Sequence, residues 1–200
     1  MVFYPQPIGL NNLSQAAVEQ ILTALSDAGF LGDFFTKEYA NETNEVQSGY
    51  LIGSDFLQLI TFLGCAPHIE IVIPEEASAW KQFCHIEIQQ YQQSIYYKGL
   101  NNPKCSCPHC TARVAKNLPD SFKHDSQWQA NKLYIECPKC HEKSLVENLN
   151  WRHSGGFGAF FIVVNSIYPN EAVPTEKLLQ ILQQASKGVF ASWDYFYSEN

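Results

Sequence analysis

Apolar residues recur at helical spacing near the start of the chain: Leu13, Val18, Ile21, Leu22 and Leu25. Ser14 can cap that run and Gly29 can stop it, which predicts a helix over 14–28. Phe30 to Phe35 then reads as a short strand, and the polar residues 36–48 as an exposed loop. Ser54 opens a second helix predicted over 55–63, apolar on nearly every face and ended by Gly64. Ile69 to Ile73 reads as a strand stopped by Pro74, followed by a short helix over 75–82. From 83 to 100 the pattern is extended, in two strand-like pieces. Cys84, Ile86 and Ile88 share one face there, and His85, Glu87 and Gln89 share the other.

The second half ends as the first began. Gly155-Gly156-Phe157-Gly158 reads as a tight turn leading into a run that is apolar on both faces, as a central strand requires. Thr175 caps a helix carrying Leu178, Leu179, Ile181, Leu182 and Ala185, with Gly188 at its end. The tail around FASWDYFYS reads as a last strand, with Trp193, Tyr195 and Tyr197 on one face that more often packs a sheet against helices and is otherwise a candidate surface for a ligand, a protein partner or a second copy of the chain. SDAGFLGDFF after the first helix and SKGVFASWDYFY after the last form a weak internal echo.

Between 100 and 145 the character changes, with five of the seven cysteines and few large apolar side chains. The fold class expected is therefore α+β, a mixed or antiparallel sheet with two to four helices, interrupted by an insertion. In this division residues 1–99 and 146–200 form a discontinuous core domain, and 100–145 the insertion.

Two C-P-x-C motifs organise the insertion: Cys107-Pro108-His109-Cys110 and Cys137-Pro138-Lys139-Cys140, with 26 residues between them. A tight turn between two thiolates lets both sulfurs reach one cation, and two such turns close a tetrahedron. Leu133, Ile135 and Cys137 alternate with Lys132, Tyr134 and Glu136, as in a strand entering the second turn. This doubled motif resembles the zinc-ribbon family over residues 103–143. The resemblance implies one structural Zn²⁺ held by Cys107, Cys110, Cys137 and Cys140. Cys105 is an alternative to Cys107, but only Cys107 completes the two-residue spacing. A redox dithiol explains one motif and leaves the other to coincidence, while a four-thiolate iron site has the same ligands. Knuckles of this family often carry Gly after the second Cys. Here Thr111 and His141 stand there, which implies strain or a variant turn. His109 and His141 are expected to be exposed at the turn tips. A closed four-ligand site serves folding, so the insertion is expected to unfold without metal.

Composition narrows the class. Hydrophobic residues make up 46 %, aromatic 14 % and charged 16 %, which excludes a largely disordered chain. The net charge of −7 excludes a generally basic, nucleic-acid-coating protein. It divides unevenly, however: residues 98–143 carry +4 and the remainder −11. A basic arm is the candidate contact for nucleic acid or a protein partner through Lys104, Arg113, Lys116, Lys123, Trp128, Lys132, Tyr134 and Lys139, with nucleic acid the less favoured of the two. The first residues lack a secretory pattern, and no apolar run is long enough to span a bilayer, so a cytoplasmic protein with no membrane partner is expected.

Enzyme signatures are thin. Cys65 with His68, Cys84 with His85, Glu75-Glu76 and Trp151-Arg152-His153 carry reactive groups, but no Ser/His/Asp set, H-E-x-x-H or dinucleotide fingerprint accompanies them. No catalytic residue is assigned. The sequence therefore favours a non-catalytic interaction or regulatory protein with a metal-stabilised basic arm, ahead of nucleic-acid binding through that arm or an enzyme using the α+β core.

Overall fold

The computed structural model describes residues 1–7, 14–39, 45–64, 69–119, 127–129 (backbone only) and 133–198. An antiparallel sheet carries the fold. Its strands run in the order β11 (Phe190–Phe196), β1 (Val2–Pro7), β9 (Gly155–Val164), β5 (His85–Lys98), β3 (Val46–Ile52), β2 (Leu31–Glu38), with β6 (Gln127–Gln129) added beside β5. Two smaller pairs join β4 (Ile60–Phe62) to β10 (Ala172–Pro174) and β7 (Tyr134–Glu136) to β8 (Lys143–Leu145). The expected α+β class is the observed one.

Helix α1 (Gln15–Asp27) starts where its cap predicts, because the Ser14 side chain accepts a hydrogen bond from the Ala17 N–H. It ends at Gly29, whose φ of 69° lets the chain reverse. Helix α3 (Glu176–Ala185) is capped in the same way by Thr175, which accepts from the Leu178 N–H. Both helices cover one sheet face. Val18, Ile21, Leu25, Leu178 and Leu182 are buried there against Phe3, Cys84, Ile86, Phe160, Ile162 and Val164. The echoed segments are each a helix followed by an edge strand, at opposite edges of one sheet.

Several elements differ from the sequence reading. Of the expected loop over 36–48, residues 36–38 complete β2 and 46–48 begin β3, which pairs with it antiparallel, while 40–44 lie outside the described residues. Its polar residues alternate on an outer strand pair, so a hydrated strand face resembles a loop in sequence. The long second helix is a single turn, α2 (Phe56–Leu59), after which Ile60 turns extended and joins β10. Ser54 is not its cap; its hydroxyl donates to the Asp55 carboxylate instead. Residues 69–73 form no strand: only Glu70 makes a bridge, with Phe83, while Ile71 and Val72 are exposed. The short helix over 75–82 is a 3₁₀ turn at Ala77–Gln82. The two strand-like pieces of 83–100 are one long β5, irregular between Gln90 and Ile95.

The glycine run is also not a turn. Gly155 to Gly158 lie inside β9, where a Cβ on Gly156 would stand 2.6 Å from the Tyr4 ring. Gly155 and Gly156 admit the Tyr96 and Tyr4 rings from neighbouring strands. The tail face is core rather than open surface: Trp193 is buried against Phe160 and Phe190, and Tyr195 and Tyr197 pack on the same cluster.

Candidate metal centre and basic pocket

The two C-P-x-C motifs fold alike. In the first, the Cys107 N–H donates to Ala112 O at 2.9 Å and the Thr111 N–H to Cys107 O at 3.0 Å. In the second, the Cys137 N–H donates to Glu142 O at 3.0 Å and the His141 N–H to Cys137 O at 3.0 Å. Thr111 and His141 both have φ 60°, so the position that favours glycine is occupied in each turn by a side chain under strain. The N–H groups of His109 and Lys139 lie 3.4 Å from the Cys107 and Cys137 sulfurs. Hydrogen bonds from the backbone of Cys140 and Lys139 hold the Cys137 thiol down to about 6.

These turns bring the four sulfurs of Cys107, Cys110, Cys137 and Cys140 within 4.8 Å of one another. Cys107 faces Cys140 at 3.7 Å and Cys110 faces Cys137 at 3.5 Å. A cation bound about 2.3 Å from each of four sulfurs sets their separations near ~3.8 Å, so the set fits one metal ion. Cys105 stands outside the cluster, in the apolar layer beneath it, where burial pushes its thiol up to about 11. His109 and His141 are exposed and also outside it, with His141 3.6 Å from the Glu136 carboxylate.

The layer under the cysteines ties them to the sheet. Val114, Leu118, Ile135, Val146 and Leu149 are buried with Tyr96 of β5, Phe157 of β9 and Trp151. The Trp151 ring packs tilted against Tyr96 and Phe157, with centroids at 4.8 and 5.4 Å, and its indole N–H donates to Val146 O. The second knuckle has the expected strand pair, β7 and β8. The first has single bridges from Ser106 to Arg113 and to Asn150.

The basic residues divide. Lys104, Arg113 and Lys116 line one cavity of about 670 Å³ with Pro103, Cys105 and Ala115. Arg152, from the Trp151-Arg152-His153 segment, completes it. Tyr134 and Lys139 are exposed on the second knuckle. Lys123 and Lys132 lie outside the described residues, as does the Trp128 side chain.

The enzyme candidates separate. Cys65 and His68 fall outside the described residues. Burial pushes the Cys84 thiol up to about 12, far from a nucleophile's range. Glu75 pairs with Lys37 at 3.1 Å on the surface. His153 donates to Tyr195 O at 2.6 Å and pairs with Asp194 at 3.2 Å.

His85 is fully buried in a polar network that the alternating face of β5 foreshadowed and Asn165 completes. Its Nδ1 donates to Phe83 O at 2.8 Å, since a carbonyl can only accept. Its Nε2 stands 2.9 Å from a Glu87 carboxylate oxygen and 3.0 Å from the Asn165 amide nitrogen. Asn165 and Gln89 donate to the same carboxylate. Burial works against the Glu87 charge, but hydrogen bonds from His85, Gln89 and Asn165 outweigh it and hold the carboxyl below its usual range. Glu87, Gln89 and Asn165 line a second cavity of about 770 Å³.

No helix among the described residues is long and apolar enough to cross a membrane. No protein-family model matches the chain, and neither a curated protein nor a solved structure matches it.

Proposed function

We propose that Cys107, Cys110, Cys137 and Cys140 hold one structural Zn²⁺, and that residues 100–145 form a zinc-ribbon arm through which the protein binds a partner without catalysing a reaction. The sulfur separations of 3.5 and 3.7 Å carry this reading, because they match the edges of a four-thiolate tetrahedron. A redox dithiol needs two sulfurs and accounts for neither the second pair nor the matched turns. Four protein ligands leave no open position for water or substrate, which argues for a folding role. A reducing compartment such as the cytoplasm suits it, since thiols persist there as ligands.

Metal analysis of the purified chain tests the assignment. One equivalent of zinc is expected, falling to background in Cys107→Ser and Cys137→Ser and persisting in Cys105→Ser. One equivalent of iron would overturn the identity of the metal. Undiminished zinc in both ligand variants would overturn the site.

A further inference from the structure

The cavity beside the first knuckle is built from three segments that meet at Ser106. Its N–H donates to Asn150 O at 2.9 Å and its carbonyl accepts from the Asn150 N–H at 3.0 Å, while Arg113 bridges its other side. Lys104 is pinned to the same corner, its N–H donating to the Ser154 hydroxyl at 2.8 Å. Arg152 is held beside it in a turn with φ 48°, its N–H donating to the Asn150 side chain. The backbone positions of Lys104, Arg113 and Arg152 are therefore held by hydrogen bonds or a bridge, and Lys116 stands in the short 3₁₀ turn Ala115–Asn117.

The charge placed there is one-sided. Lys104, Arg113, Lys116 and Arg152 line about 670 Å³, with no carboxylate among the described lining residues. All four are exposed, and none forms an ion pair among the described residues. In a chain of net charge −7, four cations around one concavity, unpaired among the described residues, make a local positive field that favours an anion. Two guanidinium forks suit the paired oxygens of a phosphate better than a lone carboxylate. Pro103, Cys105 and Ala115 add an apolar wall. The volume lies within the ordinary range for a small-ligand pocket, about 300–1,000 Å³.

We infer that this pocket binds a phosphate ester of nucleotide size, the phosphate on Lys104, Arg113, Lys116 and Arg152 and the less polar part against Pro103 and Ala115. The ester can come from a free nucleotide or from one unit of a single strand. The inference goes beyond the proposed zinc site and does not depend on which metal is bound.

Titration calorimetry on the metal-loaded full chain with ADP, and fluorescence polarisation with a labelled eight-nucleotide oligothymidylate, test it at low and at physiological salt. Saturable binding of either probe is expected, weakening by about tenfold or more in Arg113→Ala and again in Arg152→Ala. Binding of ADP identifies a free nucleotide; binding of the oligonucleotide alone identifies a strand. Metal content and circular dichroism of each variant show that the fold is retained, and Lys104→Gln and Lys116→Gln provide a second pair. Failure of both probes to bind at low salt, or equal affinity in all four variants, overturns the inference. Absence of zinc in a chain that still binds ADP overturns the metal proposal and leaves this one standing.

Discussion

Thr111 and His141 are counterparts on opposite knuckles: each has φ 60°, and each donates its N–H at 3.0 Å to the carbonyl of the first cysteine of its motif. The matched strain follows from the task of the turn. The chain must reverse straight after the second thiol, so that backbone N–H groups can face the sulfurs.

Replacing either residue with glycine removes that strain. Thr111→Gly is expected to stabilise the folded chain by about 1 kcal/mol, more than His141→Gly, because a β-branched side chain is poorly tolerated at positive φ. Thermal melts and competition with a zinc chelator measure it. A lower melting temperature in both variants would contradict the strain.

The buried His85–Glu87 pair makes a second prediction. Glu87→Gln removes the charged acceptor of the hydrogen bonds around His85 and is expected to cost about 1–2 kcal/mol. Because the Glu87 carboxyl is held below its ordinary value of 4.5, its ionised form contributes stability above that pH. The contribution is lost as pH falls through the lower, folded value. Urea unfolding at pH 7 and at progressively lower pH is expected to show the gap between wild type and Glu87→Gln closing in acid. An unchanged gap would assign the cost to packing.

His153 behaves in the opposite sense. A hydrogen bond to Asp194 raises its pKa to about 9, against partial burial, with Tyr195 O as a further acceptor. Its stabilising charge is fully present below the unfolded value of 6.5 and is lost as pH rises through about 9. With the ring half exposed, the effect is no more than about 1 kcal/mol after solvent screening. An NMR titration of the imidazole is expected to give a raised pKa that drops in Asp194→Asn. A midpoint near 6.5 in the wild type would contradict the pairing.

Local signals in the sequence were the legible ones. Ser14 and Thr175 mark their helices because a cap needs only the next few residues. The Cys107–Cys110 and Cys137–Cys140 pairs reveal their turns for the same reason. What depends on distant partners did not show. Ile60 to Phe62 reads as helix until β10 pairs with it. Gly155 to Gly158 reads as a turn until the Tyr4 and Tyr96 rings occupy the space. Arg152 reads as a loop residue until Ser106 and Asn150 bring it beside Arg113. The polar side of β5 was visible as His85, Glu87 and Gln89, but Asn165, which completes the network, arrives from the end of β9.

The most direct test of a metal-held module is the amide NMR spectrum of the chain as a strong chelator is added. Resonances of residues 104–118 and 133–150 are expected to collapse to unfolded positions, because the apolar layer under the cysteines is too small to hold them alone. Those of β1 and of the β5 and β9 residues facing α1 and α3 are expected to stay, since their core lies on the helix side of the sheet. A spectrum unchanged by complete metal removal would contradict a structural metal in this protein.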